Sequence, residues 1–274
     1  MVLSVHYLFN YLSLLLLSYK ANNEIIKGFC TFQFKSEQMS FVKYCSFFML
    51  VALCSACNAQ KISKNEYGLE VINKTSYYNN IVKANPSKKM VLLTNYITNI
   101  QFDWKYATIN NFTKQVLYVN PSAYMRIEAA EALQKVSVEL KEQGLGLKIF
   151  DAYRPYSITK KMWEVVPDER YAANPAKGSG HNRGAAVDLT LYNLTTGDEL
   201  EMPTPYDDFT EKAHINYMQL PQHILNNRTT LIDVMRKYGF LPLDTEWWHF
   251  YLPNAAKRFE LLDFNFIEIR RITK

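Results

Sequence analysis

A carboxylate interrupts the most strand-like segment of this chain. Residues 185–193, AAVDLTLYN, are apolar and β-prone apart from Asp188. Side chains alternate along a strand, so Val187, Leu189 and Leu191 share one face, which we expect to pack on helices. Asp188 then lies on the other face, among small and hydroxyl side chains that suit the floor of a cleft. Any fold for this sequence has to give one face of an apolar strand to a polar site.

Two histidines extend the pattern. His181 lies seven residues before Asp188 in the loop SGHNRG, and His249 interrupts a second apolar strand, WWHFYL, at residues 247–252. Two neutral imidazoles and one carboxylate match the three protein ligands of a catalytic zinc, which keeps a fourth position for water. A net site charge of about +1 would keep the ion a strong Lewis acid. The spacing therefore predicts one Zn²⁺ per chain on His181, Asp188 and His249.

Two further residues suit catalytic roles beside that ion. Glu246 precedes His249 by three residues, and since such residues face opposite sides of a strand, we expect Glu246 in the bend formed by PLDTE. There it could take a proton from an attacking water. Arg154 ends a predicted strand at 147–154, where a fixed guanidinium could hold an oxyanion. Each residue alone has an ordinary structural explanation; the combination H-x6-D with E-x2-H favours a metal site.

The first 60 residues have the composition of a targeting region. Residues 39–59 combine Met, Lys, a short apolar run and small residues, which is typical of a signal peptide. Cleavage after Ala59 would release a soluble periplasmic protein. Alternatively, CSAC is a degenerate lipobox, and a lipid on Cys57 would attach the protein to a membrane. Residues 1–38 indicate either an overextended start, with Met39 as the initiator, or an uncleaved membrane anchor.

The remaining chain reads as one α+β domain. We expect a linker or loosely packed lead-in at 61–85, a catalytic domain at 86–262, and a tail or extra strand at 263–274. Apolar periodicity predicts helices over 121–144, 157–166 and 229–240, and strands within 89–104, 147–155, 185–193 and 247–252. The expected architecture is a central, mainly antiparallel sheet flanked by helices, with the zinc site in a cleft on the sheet.

Composition excludes several other classes of function. All four cysteines lie within the first 57 residues, so the domain needs no disulfide and has no cysteine metal ligand. The net charge of +5 is modest and the basic residues are scattered, which argues against nucleic acid as a partner. The expected partner is a small molecule.

Three segments together resemble a known family. SGHNRGAAVDLTLY, DAYRP and EWWHF are similar to the signatures of the D-alanyl-D-alanine dipeptidases, zinc enzymes known from vancomycin resistance and related to D,D-carboxypeptidases. The resemblance covers roughly residues 75–258, with the motifs in the family's order. It implies zinc ligation by the three residues above, Glu246 as general base, and Arg154 as the group that stabilises the tetrahedral intermediate.

The resemblance also implies how the substrate is held. Residues 206–214, YDDFTEKAH, resemble a loop in which an aspartate receives the free amine of the D,D-dipeptide. Asp207 is the aligned candidate, with Asp208 adjacent, and Ser179 matches a position that helps to fix the substrate. The implied reaction is hydrolysis of D-alanyl-D-alanine to D-alanine by metal-activated water.

Two departures and two alternatives accompany this resemblance. The best-known members lack an export signal, and a second serine is common where this chain has Gly180. One alternative function is a D,D-carboxypeptidase or endopeptidase that acts on peptidoglycan stem peptides in an open cleft. The other is a catalytically silent module that binds zinc or cell wall.

Overall fold

The computed structural model describes residues 62–274. The predicted targeting region, with the four cysteines and Met39, lies outside the described residues. Within them the chain forms nine strands: β1 (Val71–Ile72), β2 (Met90–Leu92), β3 (Ile100–Phe102), β4 (Tyr124–Arg126), β5 (Leu145–Asp151), β6 (Ala186–Asn193), β7 (Leu241–Leu243), β8 (Glu246–Tyr251) and β9 (Leu261–Leu262). The same residues form six α-helices: α1 (Thr75–Ala84), α2 (Ile127–Glu142), α3 (Tyr156–Val165), α4 (Gln222–Lys237), α5 (Ala255–Arg258) and α6 (Phe266–Ile272).

A five-stranded sheet forms the centre of the described region. Its strand order is β3-β5-β6-β8-β7, and only the β3–β5 pair is parallel. β1 pairs in parallel with β9, and β2 pairs in antiparallel with β4, in two separate small sheets. The α+β class predicted from the sequence is confirmed.

One face of β6 lies in the main hydrophobic core. Val187, Leu189 and Leu191 are fully buried there, as their alternation predicts. Helices α2 and α4 supply the facing side chains, which recur every three or four residues along each helix. These facing residues include Ala129, Leu133, Val136, Leu140, Leu231 and Met235. Asp188 is thereby left on the opposite face of the strand.

The segment expected to be a linker or loosely packed lead-in contains a strand and a helix. Within residues 61–85 lie β1 and α1, and both Ile72 and Tyr78 are buried in a second hydrophobic core. The Tyr78 hydroxyl accepts a hydrogen bond from the Met90 amide at 2.8 Å. This segment is rich in Asn and Lys and has few apolar residues. Its composition therefore does not indicate the apolar helical face that Tyr78, Ile81 and Val82 form.

The C-terminal segment is a helix rather than a tail or an extra strand. The Asn265 side chain accepts hydrogen bonds from the backbone amides of Ile267 and Glu268, and the Glu268 carboxylate accepts one from the Asn265 backbone amide. This capping box fixes the start of α6. Phe266 and Ile269 are then buried in the second core.

Several element boundaries differ from the predicted ones. The helix expected over 121–144 begins at Ile127, because Tyr124–Arg126 form β4 against β2. The helix expected from 229 begins at Gln222, directly after Pro221. β5 ends at Asp151, so Arg154 lies beyond the strand, in the connection to α3. In the part of the chain that the structure describes, no helix is long and apolar enough to cross a membrane.

Candidate metal centre

Sheet pairing and one tight turn position the three predicted zinc ligands. Asp188 on β6 and His249 on β8 are direct cross-strand partners. His181 lies in a 3₁₀ turn just before β6, and Gly184 ends that turn in the left-handed region, with φ of 66°. A Cβ at Gly184 would also lie 2.5 Å from Cε of Met90. The left-handed backbone therefore favours glycine where the turn delivers His181 to the strand.

The ligand atoms of these three residues converge. Asp188 Oδ1 lies 2.8 Å from His249 Nδ1, and Asp188 Oδ2 lies 3.4 Å from His181 Nε2. His181 Nε2 and His249 Nδ1 are 3.2 Å apart. One ligand atom from each residue thus falls within 4.8 Å of the other two. Two imidazoles and a carboxylate in this arrangement fit a zinc ion by number and by type.

A backbone carbonyl selects the tautomer of His181. Its Nδ1 lies 2.7 Å from the Ala152 carbonyl oxygen, which can only accept, so Nδ1 carries the hydrogen. The lone pair is then on Nε2, the nitrogen that faces His249 and Asp188. Orientation of a metal-binding histidine through its other nitrogen is the usual arrangement in zinc sites.

The carboxylate of Asp188 is ionised in this environment. Burial raises the pKa of Asp188, but the charges and hydrogen bonds of His181 and His249 lower it by more. The net pKa lies well below its usual range. Metal ligation requires the carboxylate form, so Asp188 is in the appropriate state at neutral pH.

Glu246 reaches the same site by an irregularity in the sheet. It occupies the first position of β8 rather than the bend before it, which corrects the predicted placement. The pairing of β7 with β8 shifts between Pro242, opposite Phe250, and Leu243, opposite Glu246. This break in regular alternation lets Glu246 and His249 line one cavity although they are three residues apart. Burial raises the pKa of Glu246 to about 7.

The residues of the predicted site surround a cavity of about 200 Å³. All seven residues singled out in the sequence border it: Arg154, Ser179, His181, Asp188, Asp207, Glu246 and His249. His223 does not border it, and instead forms an exposed contact with Glu201. His214 is also absent from the residues that line this cavity.

Arg154 is fixed by a residue that the sequence reasoning missed. Its Nε and Nη2 lie 2.9 and 2.7 Å from Oδ2 of Asp151, and both side chains are buried. Asp151 also accepts hydrogen bonds from the Tyr118 hydroxyl and the Ala152 amide. Asp151 lies three residues before Arg154 in the DAYRP motif, and this spacing could have indicated the ion pair.

Asp207, rather than its neighbour Asp208, faces the cavity. Asp207 has a left-handed backbone, with φ of 63°, and its Oδ1 accepts a hydrogen bond from the Tyr106 hydroxyl at 3.2 Å. Oδ2 is buried without a hydrogen-bond partner among residues 62–274. Burial, with the nearby charge of Asp188, raises the pKa of Asp207 to about 8. Asp208 instead accepts from the Thr210 amide within its own exposed loop.

Ser179 belongs to a turn that Asn182 organises. The Ser179 hydroxyl accepts from the Asn182 amide at 3.1 Å, and Asn182 Oδ1 accepts from the Ser179 amide at 3.0 Å. Asn182 Nδ2 donates to the carbonyl of Arg154 and to the hydroxyl of Thr159. This buried amide ties the His181 turn to the segment that carries Arg154, a contact that sequence spacing does not reveal.

Two tyrosines complete the polar wall of the cavity. The Tyr206 hydroxyl lies 2.9 Å from Asp188 Oδ2 and 3.2 Å from the Tyr106 hydroxyl. The sequence showed Tyr206 only as the first residue of the YDDF loop, with nothing to indicate its contact with a residue 18 positions earlier.

Known proteins are similar to this chain in sequence. The profile of the family described as D-ala-D-ala dipeptidase matches residues 86–269. A D-alanyl-D-alanine dipeptidase of Escherichia coli is 34% identical over 168 residues, which is 61% of this chain and 86% of the relative. One of Enterococcus faecium is 31% identical over 192 residues, with 63% and 95% covered.

Solved structures show a more distant likeness. The LD-carboxypeptidase LdcB, whose structure concerns peptidoglycan recognition, aligns with a TM-score of 0.38 and 22% sequence identity. The alignment covers 72% of this chain and 86% of that one.

Proposed function

Since this chain belongs to the D-ala-D-ala dipeptidase family and is a peptidase, we propose that it hydrolyses D-alanyl-D-alanine to two molecules of D-alanine. The observation that carries the proposal is the meeting of three metal-competent side chains with Glu246, Arg154 and Asp207 around one small cavity. A cavity of about 200 Å³ suits a small ligand rather than a polymer.

His181, Asp188 and His249 are the residues that would hold a single zinc ion. When bound, zinc supplies a Lewis acid that polarises a carbonyl and lowers the pKa of water towards about 7. The support is the donor set itself: one ionised carboxylate and two imidazoles, of which His181 is held in the tautomer that ligation needs.

Glu246 is the proposed general base. Its carboxyl borders the cavity beside His249, and burial raises its pKa to about 7. A base with a pKa near the working pH can both accept a proton from water and return it to the leaving amine. In this role Glu246 carries a proton from the nucleophile to the amine of the departing D-alanine.

Arg154 is the proposed partner for the charge that develops on the carbonyl oxygen. Its guanidinium borders the cavity, while Asp151 holds it from behind through a buried ion pair. A cation held in place before the reaction needs little reorganisation as negative charge forms. Asp151 therefore serves to position Arg154.

Asp207 is the proposed partner for the free ammonium of the substrate. Its buried Oδ2 has no partner in the described chain, and an ammonium donor would supply one. Burial without a partner disfavours the carboxylate form of Asp207 and raises its pKa, and a charged amine would stabilise that form. A substrate with a blocked amine would lose this contact, and the site would thus prefer dipeptides over longer peptides.

A matched pair of substrates tests this function. Purified protein with zinc is expected to hydrolyse D-Ala-D-Ala and to turn over N-acetyl-D-Ala-D-Ala far more slowly, with activity lost on addition of a chelator. Preference for the acetylated substrate would contradict the dipeptidase assignment and indicate a D,D-carboxypeptidase. Zinc binding without hydrolysis of either compound would indicate a silent binding module.

We also propose that the reaction takes place outside the cytoplasm, because residues 39–59 have the pattern of a signal peptide. Fractionation of cells that produce the full chain, with N-terminal sequencing of the mature protein, tests this. Retention of an uncleaved chain in the cytoplasm would contradict the proposal. A lipid on Cys57 would give a blocked terminus that is lost in Cys57→Ala.

A further inference from the structure

One hydroxyl contacts the proposed zinc ligand Asp188 from the side away from His249. Asp188 Oδ1 lies 2.8 Å from His249 Nδ1, while Oδ2 lies 2.9 Å from the Tyr206 hydroxyl. The two carboxylate oxygens thus have different polar partners. Rotation of the carboxylate out of this orientation would break the hydrogen bond from Tyr206.

The ring of Tyr206 is held rigidly enough to fix this hydroxyl. It stacks on Phe150 with 4.5 Å between ring centroids and meets the edge of Trp248 at 5.4 Å. Phe150 belongs to β5 and Trp248 to β8, the strands on either side of the strand that carries Asp188. The sheet that presents the carboxylate therefore also holds its hydrogen-bond donor.

Tyr206 is the hydrogen-bond donor in its contact with Asp188. A tyrosine hydroxyl has an ordinary pKa of about 10, so at neutral pH it carries one hydrogen. An ionised carboxylate can only accept, and the hydrogen of Tyr206 consequently points to Asp188 Oδ2. The neighbouring Tyr106 hydroxyl, 3.2 Å from that of Tyr206, can in turn donate either to Tyr206 or to Asp207 Oδ1.

We propose that Tyr206 is a positioning residue for the metal site: its hydroxyl holds Oδ2 of Asp188, keeps Oδ1 directed to His249, and thereby raises the affinity for zinc. The inference rests on the proposed zinc site and goes beyond it by assigning a function to a residue outside the ligand set. Removal of a group that orients a metal ligand typically weakens metal binding 10- to 100-fold.

The variant Tyr206→Phe isolates the hydroxyl, because the ring and its packing on Phe150 and Trp248 are retained. Its zinc dissociation constant is measured at neutral pH by competition with a chromophoric chelator. We expect binding about 10-fold weaker than in the wild type. The unfolding midpoint of the metal-free variant, measured in parallel, should stay close to that of the metal-free wild type.

Tyr192→Phe is the matched control. Tyr192 lies four residues further along β6, and its hydroxyl donates to the Asn99 carbonyl at 3.2 Å, away from the ligands. This variant should bind zinc as the wild type does. Equal zinc affinity in Tyr206→Phe and wild type would overturn the inference and leave the proposed function intact. A wild type that binds no zinc would overturn both.

Discussion

Asp188 and His249 stand directly opposite each other in the antiparallel pair of β6 and β8, and their side chains meet at 2.8 Å. Cβ atoms of such partners are about 4.5–5.5 Å apart, so one register position delivers two of the three proposed ligands. A slip of one residue would turn one of these side chains to the opposite face. The site is consequently specified by strand pairing as much as by residue type.

Replacing Glu246 by Gln should abolish catalysis without loss of the metal. The amide has nearly the same shape but cannot accept a proton from water, and general base catalysis contributes about 10²–10⁴-fold. We expect kcat/KM for D-Ala-D-Ala to fall by about that factor at unchanged zinc content. Glu201→Gln, a change at an exposed residue that contacts His223, should leave both unchanged. Wild-type activity in Glu246→Gln would contradict the role of Glu246 as general base.

Zinc should stabilise the fold through His249. A ligand that binds only the folded state adds about 4 kcal/mol at a free concentration 1,000 times its Kd. We expect the thermal midpoint of the wild type to rise with zinc and to fall with a chelator, and His249→Ala to lose this response. His223→Ala, at an exposed histidine, should keep it. A zinc-dependent shift that persists in His249→Ala would mean that the ion binds elsewhere.

Asp151→Asn should destabilise the protein because it leaves the buried charge of Arg154 without its partner. Breaking a buried ion pair typically costs about 3–5 kcal/mol. Chemical denaturation of Asp151→Asn should show a loss of that size in the free energy of unfolding. Asp168→Asn removes a surface partner of the exposed Arg170 and should cost less than about 1 kcal/mol. Equal effects of the two changes would rule out the assigned role of Asp151.

Asp207 should make the stability of the metal-free protein depend on pH. Its pKa is raised from 3.8 to about 8, so between these values the folded state binds a proton that the unfolded state releases. The free energy of unfolding then falls as pH rises, by at most about 1.4 kcal/mol per pH unit from this group. Denaturation of chelator-treated protein at several pH values measures this slope.

The variant Asp207→Asn removes that titration and should flatten the dependence of the free energy of unfolding on pH. Its advantage over the wild type should grow up to about pH 8 and stay constant above it. The same variant should raise KM for D-Ala-D-Ala, because the ammonium loses its carboxylate. Asp208→Asn serves as the control for both measurements. Parallel pH curves for Asp207→Asn and wild type would refute the assigned burial of this carboxyl.

Ile72→Ala tests the structure of the segment before residue 86. Ile72 is fully buried, and truncation of such a side chain costs about 2–5 kcal/mol. Denaturant unfolding should show a loss in that range, whereas Asn79→Ala, at an exposed position of α1, should have little effect. If Ile72→Ala also has little effect, this segment does not contribute to the core.

Two residues of the candidate site could be predicted because their types are unusual in apolar strands. Asp188 and His249 stand out against their neighbours, and alternation fixes the face on which each lies. The position of Glu246 could not be derived in this way, because it depends on an irregularity between β7 and β8 that regular alternation does not contain. Glu246 was identified as a candidate by its spacing from His249 in the E-x2-H pattern.

Other parts of the molecule depend on contacts between distant segments. Asn182 and Tyr206 act through hydrogen bonds to residues 28 and 18 positions away, which no local pattern reports. The second core unites apolar residues from both ends of the described chain, each too sparse in its own segment to indicate burial. The α+β class was easier to predict, because it requires only the spacing of apolar residues along the longer helices and strands.

The parallel pairing of β1 with β9 has a mechanical consequence. It joins Val71 and Ile72 to Leu261 and Leu262, in a sheet separate from the five strands that carry the metal-binding residues. Tension on the chain ahead of residue 62 would load the contacts of Asn65 with Tyr156 and of Glu66 with Lys160, and then this small sheet. A tether at the amino terminus would therefore strain the β1–β9 pair before the strands around Asp188 and His249, which belong to the other sheet.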